Sequence, residues 1–297
     1  MPQGQMNERE SLSGAGMFPQ EMSAGDHVAL TEAVALLERT SFAMRLTNMV
    51  GHKLDLIGQM VPARFSTLAS KAASVALKAA LHSALTTLDS RKQRPPSPRL
   101  HKALAAASGA AGGLFGLNSL PVELPVSTGL ILRSIADIAR AQGEDLASPE
   151  AALACLEVFA LGGRNEGASA LDENLLMHEG SYFAVRTLLA KSLTEAARYV
   201  LERGIAEETA PVIVRLVAMI AARFGMVVTQ KAMAQAIPVI GAAGGAAINF
   251  AFMQHFQALA HGHFTVRRLE RVYGASQVRD AYQQIRLADA GNKAKPI

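Results

Sequence analysis

The sequence predicts an all-α protein, and three observations carry that expectation. Half of the residues are hydrophobic, yet only 5% are aromatic and none is Trp, so the apolar mass is Ala, Leu, Val, Ile and Met, a composition suited to helices. No run of alternating β-branched and aromatic residues bounded by turn signals suggests a strand. From Ala232 to Val266 the chain runs thirty-five residues without Asp, Glu, Lys or Arg, which requires burial in protein or in lipid. Pro238 and the GAAGG of Gly241 to Gly245 break that run, so a packed hairpin fits better than one straight helix.

A chain of 297 residues can bury a sizeable core. The expected organisation is a polar lead at 1–22 without apolar period, one multi-helix domain at 23–288, and a basic tail at 289–297. The first helix starts at the capping Asp26, with Val28, Leu30, Val34, Leu37, Phe42, Leu46 and Met49 at near-helical spacing up to Gly51. A turn at Gly58 and Pro62 leads to a second helix ending at Leu88, with Lys71 and Lys78 on its polar face.

RKQRPPSPRLHK follows, with five Lys/Arg and three prolines in twelve residues, a stiff loop that no helix interior accepts. The segment Ala103 to Gly143 then repeats the GAAGG pentapeptide at Gly109 to Gly113. Both copies lie in apolar segments with proline and lead into a helix that collects arginine, so the chain has two Gly/Ala-rich apolar helical hairpins. Their likeness reads either as a pseudo-repeat or as coincidence. The glycines Gly109, Gly112, Gly113, Gly241, Gly244 and Gly245 are read as points of close helix packing.

Ser148-Pro149-Glu150 is a strong helix start, for a helix ending at Gly162 and Gly163. The polar, Gly-punctuated stretch from Arg164 to about Ser181 reads as the most loop-like part of the core. Beyond it come a helix ending near Gly204, an almost uniformly apolar helix interrupted by Arg215 and Arg223, and a last helix after Gly274.

The net charge of +4 hides a partition: residues 1–140 carry +4, 141–210 carry −7 and 211–297 carry +7. Aromatic residues are missing from the basic stretches and nucleic-acid motifs are absent, so nucleic acid is not an expected partner. The single Cys155 excludes an internal disulfide and suits a reducing compartment. The N-terminus has no apolar signal region, and the expected location is the cytoplasm. The strongest inserters in Ala236 to Ala258 supply roughly −2 to −4 kcal/mol, which Asn249, Gln254, His255, Gln257 and Pro238 offset. A buried hairpin or a partly inserted peripheral element is therefore expected over a spanning helix.

No nucleophile elbow, phosphate loop, HExxH or dinucleotide fingerprint occurs, and no cofactor or metal site is expected. His255, His261 and His263 do not share one helical face. The informative residues are polar groups inside apolar runs: Glu123 between Pro121 and Pro125, Asp137 one turn from Arg133, Glu157 in ACLEVFAL, and Asn249. Buried carboxylates are costly unless paired, and pairing with one another or with Arg215 and Arg223 is expected. The sharper alternative is a hydrolase site built from Glu123, Asp137, Glu157 and a histidine such as His255, between the two Gly-rich segments.

Three runs taken together, QAIPVIGAAGGAAINFAFMQHF with its continuation RRLERVYG, GLNSLPVELPVSTGLILRSIADIARAQG, and CLEVFALGG, resemble the EcsC protein family over about residues 30 to 285. Asn118-Ser119 here precede Leu120-Pro121, where members often keep a simpler Gly-Leu-Pro. The resemblance implies a bacterial cytoplasmic or membrane-associated protein with a membrane-protein partner such as a transporter, since the family is named after a protein encoded beside an ABC transporter. A hydrolase or peptidase role is also attached to the family, but without a catalytic set to carry over. The expected function is a non-enzymatic accessory protein on the inner face of the membrane. Arg91, Lys92, Arg94, Arg99 and Lys102 of the loop, with Arg267, Arg268 and Arg271, would face anionic lipid.

Overall fold

The computed structural model describes residues 21–38, 42, 46, 63–87, 120–163, 170–204, 210–235 and 241–293. Eight helices lie among them: α1 Ala24–Glu38, α2 Ala63–Thr87, α3 Leu120–Ala141, α4 Pro149–Leu161, α5 Ala170–Arg203, α6 Pro211–Gln235, α7 Gly241–Tyr273 and α8 Ala275–Lys293. No strand occurs among the described residues, and one apolar cluster draws on all eight helices.

The punctuation falls where the sequence places it. Ser148 caps α4 by accepting a hydrogen bond from the Ala151 amide, with Pro149 in the first turn. Gly143, Gly204 and Gly274 end or follow α3, α5 and α7 with φ of 80°, 72° and 87°, a backbone state nearly closed to other residues. The polar stretch expected to be a loop departs from the reading: it is helical from Ala170 onward. The 34-residue helix carries Gly180 in its interior, because packing of its second half against α4 and α6 outweighs the propensity of a single glycine.

α4 is the innermost element. Every residue from Ala151 to Ala160 is buried, and the helix touches α2, α3, α5, α6 and α7, as a helix apolar on all sides must. α6 and α7 form an antiparallel pair in which Phe224 meets Phe252 and Phe256, with Phe159 of α4 completing the aromatic centre. α1 lies antiparallel along α7. There Gly262 permits a close approach, since a Cβ at that position would stand 2.7 Å from Leu37 Cγ.

α3 runs parallel to the part of α7 between Asn249 and Arg267. Glu123 meets Asn249, Ser134 accepts a 2.7 Å hydrogen bond from Gln257, and Glu144, just past α3, meets Arg267. The sequence separations of these pairs are 126, 123 and 123 residues. Polar pairs placed at intervals in an apolar interface fix register, because any slip would leave each partner unsatisfied.

The charge-free run Ala232 to Val266 is therefore two helices, the end of α6 and most of α7, on either side of residues 236–240. Within it Ile248, Phe252, Met253, Phe256, Leu259 and Phe264 are buried in the protein. The described helix long and apolar enough to cross a membrane is instead α6, and half of its apolar window is buried inside the protein. The apolar stretch Ala103 to Val122 lies mostly outside the described residues, as do Arg91, Lys92, Arg94, Arg99 and Lys102 of the run expected to form a loop and the glycines Gly109, Gly112 and Gly113.

Candidate functional site

Three polar constellations interrupt the apolar interior, each held by α7. The first lies near its N-terminal end. Glu123 projects from the first turn of α3 and receives Lys231 Nζ at 2.8 Å, Asn249 Nδ2 at 2.6 Å and Gln235 Nε2 at 3.1 Å. Lys231 is 0% exposed, and its ammonium also stands 4.6 Å from the centre of the Phe252 ring. Burial works to raise the Glu123 carboxyl, but the Lys231 charge and the two amides hold it below the usual carboxylate range. Burial pushes the Lys231 ammonium down against the opposing pull of Glu123.

The second constellation closes the opposite end of the α3/α7 pair. Arg267 makes a two-pronged contact with Glu144 at 2.9 and 3.1 Å, and Arg271 joins the same carboxylate and the Gln142 carbonyl. Arg268 donates to Gln142 and to Asp26 of α1, and Tyr273 donates to Asp26 at 2.7 Å. Burial opposes ionisation of Glu144, yet the two guanidiniums keep it below its ordinary range. The three arginines expected to face lipid thus clasp α1 and the α3–α4 connection onto α7. The three charges share two carboxylates within the protein, Glu144 and Asp26, because an arginine fork beside a half-buried carboxylate gains more than one left in water.

The third lies between these ends. Glu157, on the innermost helix, is 3% exposed; its Oε2 is 3.7 Å from His263 Nε2. His263 Nδ1 is 3.1 Å from the Tyr182 hydroxyl, and Tyr182 stacks on Tyr282, whose hydroxyl donates to Glu38 at 2.9 Å. Burial pushes Glu157 above the usual carboxylate range and His263 well below the usual histidine range. Both buried side chains therefore favour their neutral forms. Beside Glu157, Arg186 grips Glu270 through two hydrogen bonds, 2.7 and 3.1 Å.

A model of the EcsC protein family matches residues 35–269. The chain belongs to the EcsC protein family. No curated protein and no solved structure matches it at a significant level. The matched span contains every member of the three constellations except Asp26, Glu270, Arg271, Tyr273 and Tyr282, so the EcsC region includes the register of α3 on α7 and the Glu157–His263 pair.

The four residues weighed as a hydrolase site are not brought together. Glu123 is engaged with Lys231. Asp137 pairs on its own helix with Arg140 at 3.2 Å. His255 packs between Phe42 and Phe256 and close to Gly162, where a Cβ would stand 3.1 Å from its Nε2. Glu157 lies with His263, which is 14 positions, or about 21 Å of helix, from Asn249 in the Glu123 cluster. The expected pairing with arginine is also corrected. Arg223 donates to the carbonyls of Ala160 and Gly163, satisfying the open end of α4, and Arg215 lies on an exposed face.

Lys231 is the residue that sequence reasoning missed. Its signal was present: Phe224, Val228, Lys231 and Gln235 follow the three- and four-residue steps of one helical face, which makes Lys231 a buried position. Among the glycines, Gly245 is buried and Gly244 half-buried at the start of α7. The tightest backbone approach is at Gly163, where a Cβ would stand 2.5 Å from the Arg223 carbonyl oxygen. Cys155 is buried, and burial pushes its thiol up to about 12, which suits a packing residue rather than a nucleophile. Among the described residues no group of three or more His, Cys, Asp or Glu could hold a metal ion.

Proposed function

We propose that this EcsC protein is a non-enzymatic helical accessory protein that docks peripherally on the anionic inner face of a bacterial membrane, with the α3/α7 N-terminal end toward the lipid. The observation that carries this reading is the character of that end. Val122 and Val126, one turn apart on α3, are 74% and 52% exposed, and Phe250, next to Asn249, is 40% exposed. Glu123 and Lys231, the charges nearest to them in α3 and α6, are turned inward onto each other. In sequence, the uncharged Ala103–Ser119 leads into the start of α3 and residues 236–240 into the start of α7, and the basic run Arg91 to Lys102 precedes the first of them. An exposed apolar patch, with a basic run ahead of it in the sequence, has the chemistry of a peripheral element that inserts shallowly and attracts anionic headgroups. A membrane-protein partner such as a transporter would meet the protein on this surface.

Flotation of the full chain with vesicles of neutral or anionic composition tests the reading. Binding to anionic vesicles is expected, weakening with salt. Replacing Arg91, Lys92, Arg94 and Arg99 by Gln removes four charges worth about 1 kcal/mol each near such a surface, a loss on the order of a hundredfold or more. Val122→Ser with Val126→Ser should weaken binding without changing its salt dependence. Unaltered flotation in both variants, or none for the parent chain, overturns the reading.

A further inference from the structure

Glu157 is difficult to explain as scaffold. It is the one acid among the ten buried residues, Ala151 to Ala160, of α4. At 3.7 Å from His263 Nε2 it is too far for a hydrogen bond, and that nitrogen is buried without a hydrogen-bond partner. Unsatisfied buried polar atoms are rare enough to need a reason. Here they lie behind a concavity. The Glu157 side chain helps to line a cavity of about 310 Å³ between α4, α5 and α7, within the range of small-ligand pockets.

The lining divides into two chemistries. One part is polar: Arg186, Arg267, Glu157 and Thr194, with the exposed Glu150 as a second acid at the start of α4. Arg186 commits two nitrogens to Glu270 and Arg267 two to Glu144, so each guanidinium has N–H groups beyond that fork. Burial keeps the Glu157 carboxyl protonated further toward neutral pH than a solvated acid, which adds an O–H donor. The other part is aliphatic, from Leu153, Leu193 and Ala197. Because both guanidiniums already face carboxylates, the cavity lacks the surplus positive charge that a phosphate dianion needs.

We propose that this cavity binds a small monoanionic organic acid, its carboxylate accepting from Arg186, Arg267 and Glu157 and its short aliphatic tail lying on Leu153, Leu193 and Ala197. The site is separate from the membrane-docking end and stands whether or not the protein binds lipid. An acceptor-rich head completes the donor set that Glu270 and Glu144 leave open, and the tail removes apolar wall from water.

The full chain, titrated with butyrate, hexanoate and octanoate and followed through its leucine methyl NMR signals, tests this. Saturable shifts are expected at Leu153 and Leu193, with affinity rising roughly tenfold for each two methylenes added. Inorganic phosphate should give no saturable shift there. Ala190→Trp and Thr194→Trp, at two further lining positions on α5, should each lower affinity at least about tenfold by filling the cavity, with circular dichroism confirming the fold. Glu157→Leu, which suits its apolar helix, should lower it by a similar factor by removing a donor. Absence of saturable shifts with all three acids, shifts confined to other leucines, or affinity unchanged in Glu157→Leu and in whichever Trp variants fold overturns the proposal, as does saturation by phosphate at these leucines.

Discussion

The two ends of the α3/α7 pair solve the same problem with opposite means. At one end a single acid, Glu123, faces a single ammonium in an apolar setting, with two amides completing its hydrogen bonds. At the other, Asp26 and Glu144 are gripped by three arginines close to water. Nineteen positions of α7, about 28 Å, lie between Asn249 and Arg268. The first end fixes register by the penalty for being unpaired, and the second adds attraction that salt and pH can reach. The contrast bears on the outer face of the first end: Glu123 and Lys231 are paired inside, and among the described residues Val122, Val126 and Phe250 are left exposed there.

The largest expected effect breaks the first end. Lys231→Met should destabilise the fold by about 3–5 kcal/mol, since it strands a buried carboxylate. The urea midpoint should move accordingly. Adding Glu123→Leu to Lys231→Met should restore most of the loss, because a well-packed apolar pair can match a buried ion pair. A Lys231→Met protein of parental stability would show that Glu123 is solvated, and the comparison between the ends would collapse.

A smaller effect belongs to the clasp. Glu144→Gln should cost about 1–2 kcal/mol, because it weakens charge-assisted bonds near the surface. The penalty should shrink in high salt. Glu144 has a depressed value in the folded protein, so its contribution is fully present above the ordinary carboxylate range and is lost as pH falls through that depressed value. Thermal unfolding across the acid range should therefore show a flatter acid limb for Glu144→Gln than for the parent. A salt-insensitive loss would mean that Glu144 acts through packing alone.

How far the sequence discloses this architecture depends on the range of the interaction. Local signals were legible: the Ser148 cap, the glycines at 143, 204 and 274, the apolar spacing of α1, the polar face of α2 and the all-round apolarity of α6 all act within a turn or two of chain. The helix from Ala170 was not, because its polar first half looks like a loop and is helical by continuity with Tyr182 to Val200, which pack on the core. The polar positions Glu123, Glu157 and Asn249 stood out because each interrupts an apolar run. Their partners did not, since Lys231 and His263 lie 108 and 106 positions away from Glu123 and Glu157, and only the placement of the end of α6 against the start of α3 and the burial of α4 beside α7 select them. The arginines of α7 misled for the same reason. A cluster of like charge reads as a surface until the acids that meet it, Asp26 and Glu144, are placed by the fold.

The smallest effect sharpens the comparison with the region between the ends. Glu157 carries the opposite sign of linkage from Glu144. Its folded value is raised by burial, with Arg186 and Arg267 working against that rise, Glu270 adding to it, and neutral His263 adjacent. Between its unfolded and folded values the native state holds a proton that the unfolded chain releases, so stability falls as pH rises through this window. Glu157→Gln removes the titration while keeping shape and a donor. It should leave stability near the parent value in mild acid and raise it once pH exceeds the folded value of Glu157. Measured side by side, the Glu144 and Glu157 variants should thus diverge in opposite directions with pH. If Glu157→Gln instead loses stability at neutral pH, the carboxyl is ionised and held by Arg186 and Arg267, and the middle of the bundle then works by the same rule as its clasped end.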